Sequence, residues 1–167
     1  SPFPEWYFSF GGKIAWKGFD LEVLFQGAAG MSVNILDNKN QVMAFVNNGN
    51  AYEIAKGAWA YYPEQGIDTR ATARYPRLTT QSNENNYQTS SMWVKNADYL
   101  KLRNLELGYN FTALNLQEAG IDNLRLYLSA QNLLTFSGLL KNYKMDPEKI
   151  SGYPTIRSYN VGVSITF

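Results

Sequence analysis

From Ser158 to Phe167 the sequence alternates without a break: Tyr159, Val161, Val163, Ile165 and Phe167 on one parity, Ser158, Asn160, Gly162, Ser164 and Thr166 on the other. A period of two residues marks a β-strand with one apolar and one polar face. The pattern recurs four times upstream. Trp6, Phe8, Phe10, Ile14 and Trp16 oppose Tyr7, Ser9, Lys13 and Ala15. Lys17-Gly18 can make a two-residue turn, after which Phe19, Leu21, Val23 and Phe25 oppose Asp20, Glu22 and Gln26, so strands over 6–16 and 19–27 should form a hairpin. Leu105, Leu107, Tyr109 and Phe111 define a strand over 98–111, and Leu124, Leu126, Leu128 and Ala130 one over 123–134, joined by a turn over 112–122. The strand that ends on Phe167 should span 155–167.

The composition removes most catalytic chemistry. Histidine and cysteine are both absent from the 167 residues, which excludes a Ser-His dyad, a thiolate nucleophile and a zinc site built on thiolate or imidazole. The chain is therefore expected not to be an enzyme and to carry no cofactor or metal. A net charge of +1 leaves no basic stripe for phosphates, so nucleic acid is not an expected partner. No run of about 18 apolar residues occurs, which rules out a helical membrane span but not a membrane β-barrel, whose alternating strands have unremarkable average hydropathy.

A barrel accounts for the spacing. Each alternating stretch is close to the ~9–11 residues that a tilted strand needs to cross a bilayer. Their connections alternate short and long, with loops over 28–97 and 136–154; only a short helix around 51–61 is expected in the first. Outer-membrane barrels have short periplasmic turns and long extracellular loops, whereas a soluble domain rarely tolerates a connection of this length. Leu100 and Leu102 fall on the wrong parity. Either a bulge near Arg103 and Asn104 resets the register, or the strand continues above the membrane with Lys101 and Arg103 outward. Five strands cannot close a barrel, so others must come from elsewhere, and the start at Ser1 without a leader fits a missing N-terminal part.

Three stretches resemble the C-terminal part of the SusC/RagA family of TonB-dependent outer-membrane transporters. The first is Lys17-Gly18-Phe19-Asp20-Leu21 with Leu24-Phe25-Gln26-Gly27. The second joins Ala73-Arg74-Tyr75-Pro76-Arg77-Leu78 to Asp98-Tyr99-Leu100-Lys101-Leu102-Arg103-Asn104-Leu105 and Leu107-Gly108-Tyr109. The third runs from Asn123-Leu124-Arg125 through Ala130-Gln131-Asn132-Leu133-Leu134-Thr135 and Asp146-Pro147-Glu148 to Arg157-Ser158-Tyr159-Asn160-Val161-Gly162 and Phe167. The long loop departs from the family: a common Trp-Thr-Pro-Glu segment is replaced by Trp59-Ala60-Tyr61-Tyr62-Pro63-Glu64.

The resemblance implies an all-β, transmembrane antiparallel barrel of about 22 strands, of which this chain supplies the last five. It implies import of oligosaccharides or peptides across the outer membrane of a Gram-negative bacterium. The implied partners are the N-terminal barrel and plug, TonB through that missing part, a SusD-like surface lipoprotein and outer-membrane lipid. Two other classes compete with this one: a passive or structural barrel segment, and a secreted carbohydrate-binding module. The module is disfavoured because Phe8, Phe10, Val161, Val163 and Ile165 would need a second apolar sheet to cover them.

Within this frame, Trp16, Phe19, Tyr109 and Phe111 are expected in the aromatic girdle at the periplasmic rim. Trp59, Tyr61, Tyr62, Tyr75 and Trp93 in the long loop, with Tyr127 and Gln131 in the lumen, are the candidate substrate or partner contacts. Tyr159, Val163, Ile165 and Phe167 are the expected assembly signal, a strand that the insertion machinery pairs with. Asp20 and Glu22 share a strand face but read as lumen polar residues rather than an acid/base pair. Asp146-Pro147-Glu148 reads as a rigid turn rather than a calcium loop, and the Asn110-Phe111-Thr112 sequon carries no weight at a strand end. Leu21 to Gly27 also resembles a viral protease recognition sequence, yet it stays in phase with Phe19 and is read as part of the hairpin.

Overall fold

The structure, a computed structural model, describes residues 1–111 and 120–167. Five long strands form one antiparallel sheet: β1 (Trp6–Trp16), β2 (Phe19–Ala29), β7 (Tyr99–Phe111), β8 (Asn123–Ser137) and β9 (Ser158–Thr166), in the order β1-β2-β7-β8-β9. All five stretches of alternation are thus strands. Their bounds differ mainly at the ends beside the long loops, where β2 and β8 run past 27 and 134 and β9 begins at Ser158 rather than 155. LEVLFQG lies wholly within β2. Except for residues 120–122, the turn expected over 112–122, including the sequon's Thr112, lies outside the described residues.

The β1–β2 turn carries positive φ at both Lys17 (49°) and Gly18 (87°), the two-residue geometry whose twist matches that of the flanking strands. Register then aligns the faces across the sheet. Phe19 pairs with Tyr109, Leu21 with Leu107 and Val23 with Leu105, and these continue into Leu126, Leu128 and Ala130, then Val163, Val161 and Tyr159. Ser9, Lys13, Asp20, Glu22, Tyr127, Gln131, Asn160 and Ser164 lie on the opposite face. The parity conflict at Leu100 and Leu102 is resolved by a bulge. Pairing steps from Leu24↔Asn104 to Phe25↔Leu102, leaving Arg103 as the extra residue, so Leu100 and Leu102 rejoin the apolar face and Lys101 turns to the polar one. On the other side, Asn132 (φ 53°) and Leu133 are the unpaired residues of β8.

The loop between β2 and β7 is more ordered than its composition implies. It holds β3 (Ser32–Asn34) paired with β6 (Val94–Asn96), and a small hairpin of β4 (Tyr61–Tyr62) and β5 (Ile67–Asp68). The helix expected around 51–61 is a 3-10 turn over Glu53–Gly57. Gly57 sits under the Tyr75 ring, and its carbonyl accepts from the Arg74 and Tyr75 N–H groups, so the backbone there is tied to the next segment. Met31, Val33, Ile35, Leu36, Val42 and Trp93 pack with Tyr99, Leu139 and Met145 into a core where the β2, β7 and β8 ends meet. The loop caps one end of the sheet.

Candidate functional site

Two polar clusters lie on the sheet's polar face, one at each end. At the short-turn end Arg125 forks onto Asp20, donating from Nε to Oδ2 at 3.0 Å and from Nη2 to Oδ1 at 2.5 Å. The same Nη2 reaches Glu106 Oε1 at 2.7 Å, and Asn110 donates to Asp20 at 2.9 Å. A bidentate charged pair of this kind is shorter and more directional than a single hydrogen bond. It ties three strands together and leaves Asp20 only 4% exposed. Gly108 makes it possible. A Cβ at Gly108 would stand 2.5 Å from Arg125 Nη2 and 2.7 Å from Asp20 Oδ2, so only glycine lets the guanidinium cross the strand. Gly108→Val should therefore break the fork and lower unfolding free energy by about 1–3 kcal/mol. Gly12→Ala is the control, because a Cβ there meets nothing within 4 Å. Equal urea midpoints for the two full-length variants would show that the fork contributes nothing.

At the long-loop end, Lys101 is 1% exposed and donates to Asp146 at 2.9 Å and to Glu148 at 2.5 Å. Arg103, re-aimed by the bulge, binds Gln26 at 2.7 Å, Asn132 at 2.9 Å and also Glu148. Tyr99 donates its hydroxyl to Glu148 at 2.7 Å. Asp146-Pro147-Glu148 is a turn, as its sequence implied, with the Glu148 N–H on Asp146 Oδ1. Its carboxylates are matched by side-chain cations. Burial alone would raise both acids, but for Asp146 the hydrogen bonds from Lys101, Glu148 N–H and Thr155 outweigh it, and its carboxyl is held below the usual range. For Glu148, Lys101, Tyr99 and Arg103 do the same.

The candidate contacts divide. Trp59, Tyr61 and Tyr62 are exposed on and beside the β4–β5 hairpin, where Arg70 stacks on the Tyr61 ring at 3.8 Å and pairs with Asp68 at 2.8 Å. Hydrogen bonding to Arg70 holds the Asp68 carboxyl down to about 2. Trp93 corrects the expectation: it is 2% exposed, its rings lie between Tyr75 and Tyr87 at 5.7 Å from each, and its Nε1 donates to Asn86. A residue buried in this way is core, held by the stacked Tyr75 and Tyr87 rings, the Asn86 carbonyl and the apolar cluster of the loop. Tyr75 is half-buried in the same stack, and burial pushes its hydroxyl up. Tyr127 lies over Gly162, whose Cβ would sit 2.2 Å from the ring, and Gln131 accepts from Ser158 at 3.3 Å. Trp16, Phe19, Tyr109 and Phe111 line one end of the apolar face, with Phe19 and Tyr109 at 4.6 Å and Tyr109 and Phe111 at 4.7 Å. Neither charged cluster was picked out from the sequence. Their signal was there in Lys101 on the polar parity once the bulge is allowed, and in Gly108 facing Asp20.

No family model matches the chain. Two curated relatives from Formosa agariphila do. TonB-dependent receptor P3 is 27% identical over 180 residues, covering 99% of this chain, and TonB-dependent receptor P26 is 26% identical over 183 residues, covering 100%. The chain spans 17% of the length of each. Among solved structures, the RagAB peptide importer superimposes in its open-open state with a TM-score of 0.70 at 26% identity, and in its closed-closed state with 0.72 at 25%. Each covers all of this chain and 18% of the solved one. In sequence and in fold alike, the chain is similar to one segment of the TonB-dependent outer-membrane transporters of the SusC/RagA family.

Proposed function

We propose that this chain supplies the last five strands of an outer-membrane β-barrel of about 22 strands, and that the whole protein imports oligosaccharides or peptides. Its location is the outer membrane of a Gram-negative bacterium. A plug and the remaining strands come from the rest of the polypeptide, TonB supplies the energy through that part, and a SusD-like lipoprotein covers the extracellular mouth. The observation that carries this reading is the apolar face. Val161 is 81% exposed, Ile14 69% and Val163 56%; they lie on the apolar face of the two edge strands β9 and β1, of 9 and 11 residues, and no layer covers that face among the described residues. Such a face is stable against lipid and not against water. The outer edges of β1 and β9 lack partners among the described residues, as expected of strands that continue into a closed barrel. Phe19, Tyr109 and Phe111 then form the periplasmic girdle with Trp16, and the opposite face lines the lumen. The apolar face that Tyr159, Val163 and Ile165 of β9 present, with Phe167 directly after the strand, suits the strand augmentation that assembly requires.

The likeness to the RagAB peptide importer supports a partner-assisted importer. Trp59, Tyr61, Tyr62, Ile67 and Met92 remain exposed outside the loop core and would meet the lipoprotein. Deleting Tyr61–Tyr75 should leave barrel insertion intact and abolish co-purification of the lipoprotein. Unchanged co-purification would remove this surface from the reading. Uptake itself is tested in cells carrying the full-length gene: cargo accumulation that persists after loss of TonB would favour a passive pore.

A further inference from the structure

A cleft of about 410 Å³ lies where the first long loop meets the helix Gly138–Tyr143 that follows β8. Four cations line it: Lys56, Arg74, Lys141 and Lys144. Glu53 is the one carboxylate among its lining residues. None of the four cations forms an ion pair among the described residues, whereas Lys101, Arg103 and Arg125 on the polar face of the sheet are all matched. A second cleft, sharing Gln41, Tyr52 and Lys144, extends the groove and adds Lys149; its Asp146 is already held by Lys101. An excess of unmatched positive charge in a concave site focuses potential on an anionic ligand.

The walls are set by packing. Tyr75 forms part of the lining while stacking on Trp93 in the loop core, and Gly57 lies against its ring. The far wall is tied to the near one, because Gln41 donates to the Tyr143 carbonyl at 3.3 Å and Asn38 to the Ile150 carbonyl at 2.7 Å. The cations themselves are exposed and able to adjust to a ligand, while the aromatic floor of Tyr52, Tyr75 and Tyr143 offers flat surface beside them. Carboxylates on an extended chain fit this arrangement, with Arg74 able to take one bidentately and the lysines acting as point charges.

We propose that this groove is a binding site for the carboxylates of acidic peptides, selecting anionic cargo before it enters the barrel. The assignment rests on the import reading above and specifies its substrate. Peptide is chosen over glycan because the solved structures that resemble the whole chain are of a peptide importer.

The test uses the full-length transporter in detergent and two fluorescent nonapeptides, one rich in Asp and Glu, the other with Asn and Gln in their places. The variant Lys56→Gln/Arg74→Gln/Lys141→Gln should weaken the acidic peptide at least ~10-fold, leave the neutral one within ~2-fold, and flatten the salt dependence. Glu53→Gln should act in the opposite direction and tighten the acidic peptide, which a merely misfolded loop could not do. Equal losses for both peptides, or none for either, would overturn the site. If an oligogalacturonate, and not the acidic peptide, responds to the charge variants, the peptide assignment is wrong. Uptake by cells separates this from the import reading. Charge-dependent binding without TonB-dependent uptake would sink import and keep the site; uptake indifferent to the variants would do the reverse.

Discussion

Lys101→Met in the full-length protein is expected to lower its unfolding free energy by about 3–5 kcal/mol, the cost of leaving buried partner charges uncompensated. The Lys101 side chain is 1% exposed, and the two carboxylates it faces are 9% and 23% exposed. Methionine fills much of the same volume, so the loss is electrostatic rather than steric. Arg103 and Tyr99 still hold Glu148, and Thr155 and Glu148 N–H groups still hold Asp146, so the turn persists while Asp146 loses its link to β7 and Glu148 keeps a weaker one. Hydrogen exchange should therefore rise first in 138–157. Adding Asp146→Asn to Lys101→Met should recover much of the loss, because Glu148 keeps Arg103 and no buried carboxylate then remains unmatched. A change below about 0.5 kcal/mol for Lys101→Met, as for an exposed pair, would show that water reaches the cluster.

The same cluster dictates a response to pH. Asp146 and Glu148 both titrate below their ordinary values in the folded protein. An acid with a depressed folded value stabilises the fold fully above its unfolded pKa, and the contribution disappears as pH falls through the lowered one. The attachment of the second loop should therefore hold at neutral pH and loosen only below the ordinary carboxylate range of about 4. Protease cutting within 138–157 across pH 2 to 7 measures it, using an acid-stable protease. Cutting that increases between pH 7 and 5 would mean that another group controls the loop.

The five long strands were legible because alternation on one face is a local property that lipid, or any apolar medium, imposes on every residue of the strand. Even the bulge left a trace, since Leu100 and Leu102 stood on the wrong parity and only one extra residue could restore them. The loop was harder to read. Its order comes from partners distant in sequence: Trp93 is fixed by Tyr75 and Tyr87, β3 by β6, and Asn38 by Ile150. A tryptophan among Ser, Met and Val has no period from which to infer burial. The ion clusters were hidden for a related reason. Asp20 and Arg125 lie 105 positions apart and meet only because β2, β7 and β8 are neighbours and Gly108 lies between them. The charge-lined cleft likewise joins residues near 41, 56, 74 and 141, which no local pattern could have gathered.

Val163→Arg and Ser164→Arg, adjacent in β9, should differ sharply in a barrel and hardly at all in a water-soluble sheet. Val163 pairs with Leu126 on the apolar face, and Ser164 pairs with Arg125 on the polar one. An arginine on the lipid face costs roughly 2–4 kcal/mol near the bilayer midplane and about 0–1 kcal/mol near an interface. Counting along β8 and β9 from the girdle end, Val163 lies one apolar pair beyond Leu124 and Ile165, so the upper part of that range applies only if the midplane is close. Val161→Arg, one pair further from that rim, extends the series and locates the depth of greatest cost. Ser164→Arg should cost less than either, since a lumen wall already bearing Arg125 admits a second cation with mild repulsion, and Ser164→Glu beside Arg125 should cost less still. Folding titrations of the full-length protein into lipid vesicles supply the free energies. Equal costs for the two arginine variants in vesicles would mean that the Val163 face does not meet lipid, and the membrane-spanning reading of β9 would fall.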